Sequence, residues 1–182
     1  MSIINIKDDL IEGVIFHPSP NFNNRPKDAD ISLIVIHAIS LPPGKYGGNE
    51  IKDFFLNKLD TSKDEYFESI KNIKVSSHIV IKRTGEILQF VPFNKRAWHA
   101  GVSSYLGKEN CNDYSIGIEL EGTDDSAFTD EQYNSLMNLT DSLIRSYPHL
   151  SKDRLVGHSD VAPGRKTDPG TMFEWKKIIN NL

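Results

Sequence analysis

The run Leu33-Ile34-Val35-Ile36 limits the possible folds of this chain more than any other feature. Four apolar, mostly β-branched residues in succession leave no side for water, so the segment reads as a strand buried on both faces. A strand covered on both faces needs packed elements above and below it. A second stretch, Tyr114-Ser115-Ile116-Gly117-Ile118-Glu119-Leu120-Glu121-Gly122, alternates with period two. Its Ile116, Ile118 and Leu120 face one way and Gly117, Glu119 and Glu121 the other.

Helical and hairpin signals surround these strands. Thr129-Asp130-Glu131-Gln132 is a capping box that opens a helix reaching Tyr147, where Pro148 stops it. Tyr133, Leu136, Leu139, Leu143, Ile144 and Tyr147 form its apolar stripe. Ile51 to Leu59 has helical spacing, and Asp60 or Thr61 can cap a second helix toward Ile70. Ser77–Ile81 and Glu86–Val91, joined by Lys82-Arg83-Thr84-Gly85, predict a hairpin. A last helix begins at Pro169 or Thr171. The order implies a mixed α/β fold, with one central mixed β-sheet and helices packed on it.

The chain of 182 residues is expected to be one domain over 1–182. A formal charge of -4 speaks against nucleic acid or an anionic membrane as partner. No apolar run approaches the ~18 residues of a membrane span. The N-terminus lacks a basic stretch followed by an apolar core, so a cytoplasmic location is expected. Cys111 is the sole cysteine and reads as a packed thiol.

The chemistry concentrates in His158-Ser159-Asp160-Val161-Ala162-Pro163-Gly164-Arg165-Lys166-Thr167-Asp168-Pro169-Gly170. Its prolines and glycines predict a pinned loop rather than a helix. His37, directly after the buried run, can face a cleft at the strand end. Two imidazoles and one carboxylate form a recurrent set for catalytic zinc, here His37, His158 and Asp168, with Asp160 as the competing carboxylate. Glu119 is then the candidate general base, and Lys166 the cation for a developing oxyanion. Trp98 offers either a flat cleft wall or a plain core ring. His78 reads as structural, and His17 and His149 as surface residues. Pattern alone leaves a glycosidase with paired Glu119 and Glu121 open as well.

Longer motifs go further. Val35-Ile36-His37, Ser40-Leu41-Pro42-Pro43-Gly44, Arg96-Ala97-Trp98-His99-Ala100-Gly101, Ile116 through Thr123, and Gly157-His158 through Gly170 resemble one family in chain order. It is the type 2 N-acetylmuramoyl-L-alanine amidases of the peptidoglycan-recognition-protein superfamily, and within it the cytoplasmic amidases of 1,6-anhydromuropeptides. The resemblance implies one zinc ion per chain, held by His37, His158 and Asp168, with Glu119 and Lys166 catalytic. It implies an anhydromuropeptide substrate cut between N-acetylmuramic acid and L-alanine during peptidoglycan recycling, with a link to β-lactamase induction. It places Trp98, His99 and Ala100 along the substrate groove, and the chain is expected to be monomeric. Two positions depart from the pattern. Ala38 stands where the family has Asn, and Asn110 where a basic residue is expected, with Lys108 or the Arg165 region left to compensate. A muropeptide-binding module without catalysis is the alternative, disfavoured because all three ligands are present.

Overall fold

The computed structural model describes residues 4–182; Met1, Ser2 and Ile3, the start of the N-terminal stretch read above for a leader, lie outside the described residues. In chain order the strands are β1 (Ile6–Lys7), β2 (Leu10–Ile11), β3 (Phe22–Asn24), β4 (Leu33–Ile39), β5 (Ile79–Ile81), β6 (Ile87–Gln89), β7 (Lys95–Ala97), β8 (Ser104–Tyr105), β9 (Lys108–Glu109), β10 (Ser115–Glu121) and β11 (Leu155–Gly157). The helices are α1 (Glu50–Phe55), α2 (Glu65–Ile70), α3 (Asp130–Ser146), α4 (His158–Val161) and α5 (Trp175–Ile179).

Among the described residues the largest sheet has five strands, ordered β11-β4-β10-β5-β6. β4 is parallel to β10 and β11, β10 is parallel to β5, and the β5–β6 edge is an antiparallel hairpin. The mixed sheet expected from the sequence is present. Its register sets Ile34 beside Ile116 and Ile36 beside Ile118. This apolar face packs on Leu136, Leu139 and Leu143 of α3. Each such side chain contributes about 1.5–3 kcal/mol by leaving water. The other face carries Leu33 and Val35 against Ala100, Cys111, Tyr114 and Val161. Both faces are therefore covered, as the apolar run requires.

The capping box opens α3 as read: Thr129 Oγ1 accepts the Gln132 amide and Gln132 Oε1 accepts the Thr129 amide. Gln132 also donates through Nε2 to the carbonyls of Ile81 and Glu121, tying the helix start to the ends of β5 and β10.

Several boundaries differ from expectation. β4 continues to Ile39, because pairing with β10 runs on through His37–Glu119 and Ile39–Glu121. His37 thus sits inside the strand rather than after it. α1 ends at Phe55, and Asn57 in left-handed conformation (φ 58) turns the chain away. Asp60 caps only the single turn Thr61–Lys63, while Asp64 caps α2 through the Tyr66 amide. The final helix starts at Trp175, later than Pro169 or Thr171. The loop after β11 opens with the helical turn α4, contrary to the reading of an all-loop segment. Pro163 lies beyond that turn, and Asp160 Oδ2 accepts the Gly157 amide at 2.7 Å to cap its start.

Candidate metal centre

Residues paired across a sheet share a face, so His37 of β4 and Glu119 of β10 point to the same side. They stand toward the C-terminal ends of the parallel strands, where open α/β sheets hold their ligands. β11 delivers His158 to the same edge at the start of α4. The chain then returns so that the Asp168 carbonyl accepts the Ser159 amide at 2.9 Å. That return sets the Asp168 carboxylate beside both imidazoles.

His37 Nδ1 lies 2.9 Å from His158 Nδ1 and 3.2 Å from Asp168 Oδ2, and His158 Nδ1 lies 3.1 Å from that same oxygen. Tetrahedral ligands at the usual ~2.0–2.1 Å stand roughly 3.3 Å apart, so the triangle has the size a zinc ion requires. His37 and His158 are 2 % and 3 % exposed, which closes the triangle from below and leaves access from the cleft. Burial, with a smaller push from His158, drives His37 down to about 4 against the pull of Asp168, so the ring is neutral at physiological pH. Burial works to raise the Asp168 carboxyl, but the close approach of His158 and His37 outweighs it and holds the group well below the usual range. A neutral imidazole at His37 and an ionised carboxylate at Asp168 are the protonation states a metal needs. The donor set fits zinc.

The triangle lies in a cleft of about 690 Å³ that Glu119, Lys166, Trp98 and His99 also line. Burial, reinforced by the negative charge of Asp168 and partly offset by Lys166, raises the Glu119 carboxyl well above its ordinary value. Phe54, Tyr66, Ile70 and Ile73 give the cleft an apolar wall, while Thr123, Asp124 and Asp125 give a polar one. Trp98 belongs to the wall rather than the core, its Nε1 donating to Asn23 Oδ1 at 2.9 Å. The polar wall is not among the site residues singled out from the sequence. Thr123-Asp124-Asp125 follows β10 after Gly122 and could have been found as its loop.

Other candidates fall elsewhere. Asp160 is occupied in capping α4 and is absent from the converging group, which comprises His37, His158 and Asp168. Glu121 accepts the amides of Gly47 at 2.7 Å and Arg83 at 3.0 Å, so it anchors the loop after β4 and has no free oxygen for a carboxylate pair with Glu119. Ala100 is fully buried and enters only through its carbonyl, which accepts from His158 Nε2 at 3.2 Å and from Arg165. Lys108 and Asn110 do not line the cleft: the chain turns away at Gly101 (φ 58) into the β8–β9 hairpin. There the Lys108 ammonium sits 4.1 Å from the centre of the Tyr114 ring. Asn110 and Arg165 line a separate groove beside Ala162. The Arg165 guanidinium is spent on the carbonyls of Ala100 and Val102. His78 is structural, Cys111 is a buried free thiol, and His149 is exposed beside Asp30.

Residues 27–171 match the family model for N-acetylmuramoyl-L-alanine amidases. The chain is 52% identical over 164 residues to the 1,6-anhydro-N-acetylmuramyl-L-alanine amidase AmpD of Haemophilus influenzae, covering 90% of this chain and 89% of that protein. A crystal structure of a selenomethionine derivative of AmpD superposes with a TM-score of 0.95 at 47% identity, covering 98% of this chain and 99% of that one. The amidase AmiD of Escherichia coli, in complex with the substrate anhydro-N-acetylmuramic acid-L-Ala-D-gamma-Glu-L-Lys, matches with a TM-score of 0.61 at 30% identity, over 87% of this chain and 60% of that one.

Proposed function

The chain belongs to the N-acetylmuramoyl-L-alanine amidase family and hydrolyses the amide between N-acetylmuramic acid and L-alanine; we propose that it does so with one zinc ion held by His37, His158 and Asp168, on 1,6-anhydromuropeptides. The observation that carries this reading is the triangle of ligand atoms, 2.9–3.2 Å on a side, in the same cleft as Glu119.

When bound, zinc supplies Lewis acidity to the scissile carbonyl and lowers the pKa of a water toward ~7. Glu119 takes the proton of the attacking water. Its upward-shifted carboxyl then holds that proton firmly enough to deliver it to the leaving amine of L-alanine. Lys166, on the cleft lip, offsets negative charge on the carbonyl oxygen as the tetrahedral centre forms. Trp98, the apolar wall and the polar wall from Thr123 to Asp125 line the cleft that receives the substrate. A module that only recognises muropeptides has no use for a complete ligand set beside a tuned carboxyl.

Residues 1–182 act as one monomeric domain in the cytoplasm, and the reaction serves recovery of cell-wall fragments. Among the described residues no helix is long and apolar enough to cross a membrane. The test is dialysis against a chelator, followed by assay of L-alanyl peptide release from an anhydromuropeptide. Activity should vanish with the metal and return with added zinc. Full activity in metal-free protein would defeat the mechanism.

A further inference from the structure

His99 lines the cleft, yet both nitrogens of its ring are engaged inside the protein. The directions of those hydrogen bonds follow from a single fixed end. The carbonyl oxygen of Cys111 can only accept, so the Ser115 hydroxyl, 2.5 Å away, donates its proton there. Ser115 Oγ therefore meets His99 Nε2, at 3.1 Å, as an acceptor, and the ring proton lies on Nε2. With its ring proton on Nε2 and no carboxylate among its hydrogen-bond partners, the His99 ring presents Nδ1 as a bare lone pair. That lone pair is 3.0 Å from His37 Nε2, which must carry the proton of His37. His37 Nδ1 is left bare, and this is the atom that meets His158 Nδ1 and Asp168 Oδ2. His158 is fixed in the same sense, because its Nε2 faces the Ala100 carbonyl at 3.2 Å.

The backbone is shaped around the His99 ring. A Cβ on Gly117 would fall 2.4 Å from His99 Cγ, so the imidazole fits only because this position of β10 is bare. The amides of His99 and Ala100 both donate to the buried Asn112 Oδ1, at 3.1 and 2.8 Å, which holds the ring's own backbone. Ser115, Gly117 and Glu119 share one face of β10 and act as anchor, seat and reacting carboxylate.

We propose that Ser115 and His99 are positioning residues: a one-way chain of hydrogen bonds from the Cys111 carbonyl holds His37 as its Nε2–H tautomer and aims Nδ1 at the metal. The proposal deepens the zinc reading above and rests on it. Partners of this kind orient a ligand and raise its basicity, and their loss costs about 10–100-fold in metal affinity.

The experiment measures zinc affinity by competition with a chromogenic chelator for wild type, His99→Leu, His99→Asn and Ser115→Ala, with circular dichroism as the check on folding. His99→Leu should bind zinc about 10–100-fold more weakly. His99→Asn, whose Oδ1 replaces Nδ1 as the acceptor, should recover most of that loss, and Ser115→Ala should fall between them. Long-range ¹H–¹⁵N spectra of the zinc-loaded wild type should show His37 protonated at Nε2 and metal-bound at Nδ1. Equal zinc affinity in wild type and a folded His99→Leu overturns the positioning role and leaves the zinc reading intact. Should His99→Leu not fold, the spectra decide: metal on His37 Nε2 overturns the proposal. A wild type that binds no zinc brings down the zinc reading itself, and the proposal with it.

Discussion

His37 and His78 are both buried imidazoles near the same sheet, 2 % and 0 % exposed, yet their surroundings are opposites. Around His78 every donor meets an acceptor. Its Nδ1 accepts the Gly117 amide at 3.0 Å and its Nε2 donates to the Lys95 carbonyl at 3.0 Å. Arg25, beside it, donates to the carbonyls of Phe93, Asn112, Asp113 and Ser115. Around His37 the far nitrogen is paired, but on the near side three acceptors face one another with no donor among them. A buried acceptor needs a partner, and three sharing one point need a cation. Burial and residue type are alike for the two imidazoles. The balance of donors and acceptors separates the knot that holds the fold from the centre that does chemistry.

That contrast can be broken at either cluster. His37→Ala should have the largest effect: loss of stoichiometric zinc and at least about a 10⁴-fold fall in amidase turnover, with the metal-free chain still folded. Metal analysis and peptide-release kinetics check both halves, and a variant that keeps its zinc would show that His37 is not a ligand. Glu119→Gln should retain one zinc per chain and lose about 10²–10⁴ in kcat. Undiminished kcat would remove Glu119 from the reaction. Arg25→Met should do the reverse, costing about 3–5 kcal/mol in urea unfolding by stranding buried carbonyls, while zinc stoichiometry holds. Weakened zinc binding at unchanged stability would put Arg25 in the wrong cluster.

The smallest effect concerns pH. Burial first, then the charge of Arg25, pushes His78 down to about 3 from its ordinary 6.5. The unfolded chain thus takes up this proton before the folded one does. The stability it contributes is fully present above pH 6.5 and is lost as pH falls toward 3, at up to about 1.4 kcal/mol per pH unit. His78→Asn, which keeps an acceptor for the Gly117 amide, should flatten the acid side of the stability curve by about that slope. An unchanged slope would mean that His78 does not hold its proton off in the fold.

Much of this was legible before any coordinates. The apolar run of β4, the alternation of β10 and the capping box of α3 are strong periodic signals, and each marks a real element. The ligand candidates came from residue type, and their preference over Asp160 came from family resemblance. What stayed hidden depended on partners distant in sequence. Spacing does not reveal that Asp160 caps α4, that Glu121 is tied up by Gly47 and Arg83, or that the β8–β9 hairpin carries Lys108 and Asn110 away from the cleft. The family resemblance placed His99 along the groove, and it does line the cleft. Its link to Ser115 spans 16 positions and appears only once β10 is laid beside it.

The most direct test is anomalous diffraction at the zinc edge from crystals of the zinc-loaded, active protein. The account predicts one strong peak per chain, within about 2.0–2.2 Å of His37 Nδ1, His158 Nδ1 and an Asp168 carboxylate oxygen. An active protein with no peak there, or with its zinc on other residues, would contradict it.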